Sequence, residues 1–508
     1  MKIPSELYRP SLALLTDLYQ LTMAYGYWKS GVKNKEAVFN LFFREPPFHE
    51  GFSIACGLGY VVDLLSTLRF EADDVAYLAE LRGADGAVLF EPGFLTYLQS
   101  LQFCCHIDAI PEGTVVFPQE PLVRVQGPLI QGQLLETILL NLINFQTLVA
   151  TKAAHICLAA RGEPILEFGL RRAQGIDGAL AASRAAYIGG CAATSNLLAG
   201  KLFGIPVRGT HAHSWVMAFD DELESFQAYA EAMPNNCIFL VDTYNTLEGV
   251  RKAVQVGKWL REQGHEMIGI RLDSGDFVQL SIETRKILDA AGFPNANIVG
   301  SNDLDEHAIE HLKERGATIN IWGVGTKLVT AYDQPALGGV YKLSAIREPG
   351  GSWQDKIKLS EEAIKVSNPG ILQVRRYHLP DDTFLADVIY NEETSLVDGC
   401  TLVDGCTLVD GCTMVDILDP NKRLSIPQGS QFTNLLVPVF RDGKAVYDLP
   451  SLAEIRQRTQ EQIAHLPAGL KHATAPTPYP VGLELSLHEH KTRLILQTRT
   501  AGEKEQAS

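Results

Sequence analysis

The sequence predicts an α/β protein: an irregular (β/α) barrel carrying the candidate site, with the N- and C-terminal segments forming a second, α+β domain. Three observations predict it. Between residues 126 and 344, short apolar runs alternate with helix-like segments at about thirty-residue spacing. Each run ends in polar or glycine residues, which is what the active face of a barrel needs. Outside that stretch the pattern changes. Residues 1–125 read as α+β, residues 345–490 as short β-like runs and turns, and residues 491–508 as a mostly disordered charged tail.

Six runs carry the pattern. Pro164-Ile165-Leu166-Glu167-Phe168 leads into Gly169-Leu170-Arg171-Arg172-Ala173, and Ile205-Pro206-Val207-Arg208 into Gly209-Thr210-His211-Ala212-His213-Ser214. Cys237-Ile238-Phe239-Leu240-Val241 leads into Asp242-Thr243, and Ile268-Gly269-Ile270-Arg271-Leu272 into Asp273-Ser274-Gly275-Asp276. Ile298-Val299-Gly300 leads into Ser301-Asn302-Asp303, and Ile319-Asn320-Ile321-Trp322 into Gly323-Val324-Gly325-Thr326. Residues 246–263 and 305–315 read as intervening helices. Six strands do not close an eight-stranded barrel, so an open doubly wound sheet is the alternative.

Ahead of this stretch, residues 16–27 read as a helix and residues 37–43 as an aromatic strand ended by Pro46-Pro47. After Tyr341, residues 356–359, 372–377 and 385–390 read as short strands and residues 451–466 as a helix. Residues 395–416 repeat with period six: SLVDGC, TLVDGC, TLVDGC, TMVD. Three copies are too few for a solenoid, and Asp-Gly suits turns, so the repeat reads as a duplicated surface loop without a catalytic role.

A chain of 508 residues exceeds one ordinary core. The net charge of -16 argues against nucleic-acid or membrane-surface binding, so an anionic ligand must be held by local arginines, metal ions and backbone N–H groups. Nine cysteines without a CxxC pair, and residues 1–10 without an apolar signal region, point to a reducing, cytoplasmic setting. Residues 134–160 are apolar but interrupted by Asn141, Asn144, Gln146, Lys152 and His155, as in a buried or interface helix and not a membrane span.

Four groups of residues carry chemistry. His211 and His213 stand beside Thr210 and Ser214 in a strand-end loop, and a neutral imidazole is a competent nucleophile toward a phosphoryl group. Asp273 and Asp276, with Ser274 and Gly275 between them, suit a divalent metal bearing a diphosphate, or ribose hydroxyls; an Asx-turn capping the next helix is the rival reading. Asp242 adds a carboxylate one strand earlier. The turns at Gly300 and at Gly323 and Gly325 offer backbone N–H groups to phosphate. Arg171 and Arg271 suit anionic or aromatic ligands. Tyr19, by pattern alone, is a helix-core aromatic.

Together these segments resemble the nicotinate phosphoribosyltransferase family, among the type II phosphoribosyltransferases. The resemblance rests on Thr16-Asp17-Leu18-Tyr19-Gln20-Leu21-Thr22-Met23, on the strand-end motifs at residues 167–173, 209–214, 271–276 and 323–326, and on Leu337-Gly338-Gly339-Val340-Tyr341-Lys342-Leu343. It implies an enzyme that joins nicotinate to phosphoribosyl pyrophosphate, with ATP hydrolysis coupled through a phosphohistidine at His213 and with Asp273 also catalytic. It assigns nicotinate contacts to Tyr19, Phe168, Arg171, Thr210, Ser214 and Arg271, Tyr19 reaching across from the partner in a homodimer. It assigns phosphoribosyl pyrophosphate contacts to Asp242, Ser274, Gly275, Gly300, Gly323, Gly325 and Thr326, and Mg2+ to Asp273 and Asp276. The repeat at 395–416 departs from the family. Nicotinamide and quinolinate phosphoribosyltransferases are the rival readings within the class, and a non-catalytic nucleotide-binding barrel is the rival outside it.

Overall fold

The computed structural model describes residues 11–394, 402–403, 406–407, 412–471 and 478–506. A six-stranded sheet orders the strands Ala193–Thr194, Ile165–Glu167, Ile321–Val324, Asn297–Ser301, Gly269–Leu272 and Ile238–Leu240 side by side. Every ladder in it is parallel. Helices cover it, among them Thr246–Glu262 and Phe277–Ala290. Ile165, Phe239, Ile270, Ile298, Trp322 and Val324 are all buried in one apolar cluster, the pattern of a sheet covered by helices. All strand C-termini therefore point to one end, where the loops collect.

Five of the six predicted runs are strands of this sheet. The sixth, at residues 205–208, makes only an isolated parallel bridge, Thr194 to Val207. Pro206 has no N–H to extend a ladder, although its carbonyl accepts from Thr194. The strand in its place, Ala193–Thr194, is two residues long and too short to signal itself by periodicity. Among the described residues no strand ladder joins Ile238–Leu240 to the opposite edge.

Two further sheets draw on both chain ends. One orders Gln354–Asp355, Gly339–Arg347, Glu36–Phe43, Val123–Pro128, His106–Ala109, Val437–Arg441 and Lys444–Ala445, with antiparallel ladders throughout. Glu36–Phe43 is an interior strand, and residues 37–43 are all buried. The other contains Arg423–Ile426, Cys412–Asp416, Val481–Glu484, Phe384–Asn391, Leu372–His378 and Phe432–Asn434. The architecture is thus mixed α/β, with a parallel sheet in one part and largely antiparallel sheets in the other.

The helix Glu136–Ala159 is long and apolar enough to cross a membrane by length and composition, but 67% of its most apolar window is buried within the fold. Its polar residues explain the burial. Thr147 and Thr151 hydroxyls accept from the Cys56 and Ile54 N–H groups, and the Lys152 ammonium pairs with Glu306 and Asp333. The C-terminal tail departs from its expected disorder: residues 485–506 form the helix Leu485–Gln506, which follows Val481–Glu484 directly. Leu487 is buried there, and the Lys491 ammonium donates to Asn368, so the first turns are tied into the core. Of the hexapeptide repeat, residues 395–401, 404–405 and 408–411 lie outside the described residues, while Cys412–Asp416 is a strand in the C-terminal sheet.

Candidate active site

The strand-end loops enclose a cavity of about 470 Å³. Phe168, Arg171, Thr210, His213, Arg271, Asp273, Gly323, Gly325 and Thr326 line it, as do Ser301, Asn302 and Asp303. The parallel register brings these distant positions together: Val299 lies beside Arg271, and Gly323 beside Ser301.

One wall is the loop after Ile165–Glu167. The Glu167 carboxylate is fully buried and accepts from Gly169 N–H, Ser183 Oγ and Thr194 Oγ1. It fixes the loop that carries Phe168 and Arg171. Gly323 leaves room for the Phe168 ring, because a Cβ there would stand 2.8 Å from the ring edge. Gly169 does the same for the next turn, where a Cβ would meet Val329 at 2.3 Å.

The opposite wall is built around Arg271. Its guanidinium Nη1 donates to Thr210 Oγ1 at 2.6 Å, and its Nε has no hydrogen-bond partner. Among the described residues no carboxylate lies within ion-pair distance of it. Burial lowers its proton affinity, an effect only partly offset by the fields of Asp273 and Asp242. A buried, unpaired guanidinium is costly, and an anionic ligand in the cavity would relieve that cost.

The two histidines of the loop differ sharply. His211 is buried, its Nε2 accepts from Leu240 N–H at 3.2 Å, and its Nδ1 lies 3.4 Å from the Ala212 carbonyl. Burial pushes its pKa down to about 4, so the ring is neutral and structural. His213 opens the short helix His213–Met217 and is partly exposed at the cavity. Its Nδ1 lies 3.1 Å from Thr243 Oγ1 and its Nε2 3.8 Å from Asp273 Oδ2. Asp273 is itself held, its Oδ1 accepting from Ser301 Oγ at 2.6 Å. A chain of polar groups thus runs Ser301, Asp273, His213, Thr243.

Other predicted residues stand outside the cavity lining. Asp242 Oδ2 accepts from Asp273 N–H at 2.9 Å and Ser274 Oγ at 2.6 Å, so it braces the 273–276 turn. Gly275 gives that turn its left-handed residue, φ 89°. Asp276 is the N-cap of Phe277–Ala290, its Oδ1 accepting from Val278 and Gln279 N–H groups. That is the capping role weighed against metal ligation, and it turns one carboxylate oxygen onto the helix. Gly300 is buried against Ile319, and Ser214 is exposed on the short helix beside the cavity. Tyr19 is half-exposed beside Asn144 and Leu337, in a separate pocket. Sequence reasoning did not single out Glu167, Ser301 or Thr243 as site residues; each is visible only once the loops are assembled.

Three family profiles match the chain: the nicotinate phosphoribosyltransferase N-terminal domain over residues 14–144, the nicotinate phosphoribosyltransferase family over 164–350, and the C-terminal domain over 372–491. A Bacillus subtilis (strain 168) protein named nicotinate phosphoribosyltransferase is 42% identical over 97% of each chain. A Homo sapiens protein of the same name is 36% identical, over 92% of this chain and 94% of its own. The crystal structure of human nicotinic acid phosphoribosyltransferase superimposes with a TM-score of 0.80 at 34% identity, covering 94% of this chain and 99% of that one. A nicotinate-nucleotide pyrophosphorylase from Pyrococcus furiosus, 20% identical, shares the fold with a TM-score of 0.65 over 89% of this chain and 95% of its own.

Proposed function

The chain belongs to the nicotinate phosphoribosyltransferase family and is a nicotinate phosphoribosyltransferase, and from that premise we propose how its cavity carries out the transfer. The enzyme joins nicotinate to phosphoribosyl pyrophosphate, giving nicotinate mononucleotide and pyrophosphate. Arg271 is the observation that carries the site assignment: a buried guanidinium, hydrogen-bonded to Thr210 and paired with no carboxylate, suits the nicotinate carboxylate. Phe168 packs against the pyridine ring, and Arg171 adds positive charge at the ring site. The ring nitrogen attacks C1 with its own lone pair, so the protein has to position it, not deprotonate it. Breaking the C1–pyrophosphate bond leaves an oxocarbenium-like sugar and a highly charged leaving group. The turn from Gly323 to Thr326 contacts the phosphates, while Asp242, Ser274 and Gly275 hold the neighbouring loop in shape.

The cavity carboxylate Asp273 fits a Mg2+ ion, which needs only one or two protein carboxylates beside substrate phosphates and would neutralise the leaving charge. Asp276 fits less well because its carboxylate caps a helix. ATP coupling runs through His213. With Nε2–H facing Asp273, the Nδ1 lone pair leaves the Thr243 hydroxyl and attacks the γ-phosphorus, the γ-phosphorus–oxygen bond to ADP breaks, and ADP leaves.

Three further readings complete the proposal. The parallel sheet closes as an irregular barrel, supported by the span of residues 207–211 from one edge to the other: Val207 bridges Thr194, and His211 accepts from Leu240. A homodimer brings Tyr19 to the partner's cavity, supported by its exposure and its distance in the fold from its own. A cytoplasmic setting is supported by the free thiols of Cys56, Cys104, Cys105, Cys157, Cys191, Cys237 and Cys412. Product formation from nicotinate and nicotinamide, each with and without ATP, tests the reading. Turnover of nicotinate stimulated by ATP is expected; equal use of nicotinamide would refute the assignment of Arg271 to a carboxylate.

A further inference from the structure

Away from the cavity, Glu50 and Glu306 are buried, and each keeps a carboxylate oxygen without a partner. Glu50 is 3% exposed and Glu306 is 0% exposed. Glu50 follows the turn Pro47–His49, where Phe48 and His49 both adopt left-handed backbone, φ 60° and 58°. That conformation is unfavourable for non-glycine residues, yet it directs Glu50 inward. Glu306 opens the helix Glu306–Glu314 on the other side of the junction. Its Oε1 receives the Lys152 ammonium at 2.5 Å, but its Oε2 has no hydrogen-bond partner. Glu50 Oε2 pairs with His155 Nδ1, while its Oε1 has no partner. A ring nitrogen of the adjacent His307 completes a set of donor atoms lying within 4.8 Å of one another.

Lys152 does not resolve this arrangement. Its ammonium is shared between Glu306 and Asp333, and the His155 ring faces only Oε2 of Glu50, so Glu50 Oε1 and Glu306 Oε2 stay without a partner. Carboxylates in a low-dielectric interior are stable only when paired or ligating a metal.

We propose that Glu50, Glu306 and His307 bind a divalent cation of the Mn2+ or Zn2+ type that staples the antiparallel part of the molecule to the parallel-sheet part. The imidazole nitrogen favours these ions over Mg2+ or Ca2+, which prefer oxygen alone. An ion about 2.1 Å from each donor fits the set after a small rotation of the exposed His307 side chain. The staple fixes the start of the 306–314 helix. The preceding residue, Asp305, caps that helix and pairs with Lys327, the neighbour of Thr326 in the cavity wall. The site is separate from Asp273, so it serves to hold the loop and not to carry out the transfer.

The test uses the full-length protein stripped with EDTA and titrated with Mn2+ by electron paramagnetic resonance, with thermal unfolding in parallel. Asp273→Asn removes binding at the catalytic cavity. In that background one Mn2+ per chain is expected, together with a rise in Tm. Glu50→Gln and His307→Ala should each weaken it by about tenfold or more and abolish the rise. His307 is 59% exposed, so its alanine variant folds and carries the test even if Glu50→Gln does not. No Mn2+ or Zn2+ bound in the Asp273→Asn background, or either folded variant binding as tightly as that background, overturns the proposal and leaves a Glu50–His155 and Lys152–Glu306 pair of buried salt bridges in its place.

Discussion

Arg376, in the interior of the C-terminal sheet, is fully buried, and Arg271, in the mouth of the parallel sheet, is largely so with a buried Nε, yet the two guanidiniums are treated in opposite ways. Arg376 is held by Asp387, with its Nε 2.9 Å from Oδ1, and its Nη1 donates to Gln462 at 3.0 Å. Tyr479 donates to the same Asp387 at 3.0 Å, and the Phe384 ring lies 4.5 Å from the guanidinium carbon. Burial alone would weaken its charge, but Asp387 more than reverses that and raises its proton affinity. For Arg271 burial wins and the proton affinity falls. The lesson is one of completeness: a satisfied buried charge supports the fold, and an unsatisfied one at a cavity is kept for a ligand.

The sharpest way to break this comparison begins at the partly exposed imidazole beside Arg271. His213→Ala should abolish ATP-stimulated turnover and all labelling of the protein from γ-labelled ATP; retained label would remove His213 from the phosphoryl path. Next, Arg376→Ala should cost about 3–5 kcal/mol of stability by stranding Asp387, read from denaturant unfolding, whereas the surviving folded protein keeps its KM for nicotinate. Arg271→Ala should do the reverse. Its kcat/KM for nicotinate should drop by a factor equivalent to about 2–5 kcal/mol, with an unfolding midpoint near that of wild type. If both variants lose stability alike, the contrast between the two arginines is wrong.

His211 supplies a smaller effect with a pH signature. Because its pKa is pushed from 6.5 down to about 4 in the folded protein, the unfolded chain binds the extra proton. Stability should therefore be fully present above pH 6.5 and decline as pH falls toward 4. His211→Ala should flatten that decline, cost about 1–3 kcal/mol at neutral pH by leaving Leu240 N–H unpaired, and still accept phosphate on His213. The smallest effect is expected from deleting residues 401–412, two whole periods of the repeat, which changes loop-closure entropy by about a kcal/mol or less. A soluble, folded deletion protein without activity would make the repeat part of the site.

The strand-end positions were legible because apolar runs ending in glycine and polar residues signal buried parallel strands, and five such runs are strands of one sheet. Their order was not, since nothing in Ile165 or Ile321 announces that those strands are neighbours. The cavity residues His213, Arg271, Asp273 and Phe168 were legible from motif and side-chain chemistry. Glu167 was not, because a glutamate at a strand end reads as solvated, and its partners Ser183 and Thr194 lie 16 and 27 residues away. Ser301 and Thr243 stood in view as loop residues, but their contacts to Asp273 and His213 span 28 and 30 residues. Asp276 shows the opposite limit: an aspartate before a helix fits a cap or a metal equally until its hydrogen bonds are seen.

The helix Glu136–Ala159 has a consequence for how the chain is made. Its Lys152 waits for Glu306 and Asp333, which follow 154 and 181 residues later. At about 5–20 residues per second, a ribosome leaves this oily segment, with its lone ammonium, without its native neighbours for roughly ten to thirty seconds. During that interval the nascent chain presents something close to a membrane anchor to any chaperone or translocation factor that meets it. The lysine in its middle is the feature that discourages insertion into a bilayer until the rest of the chain arrives.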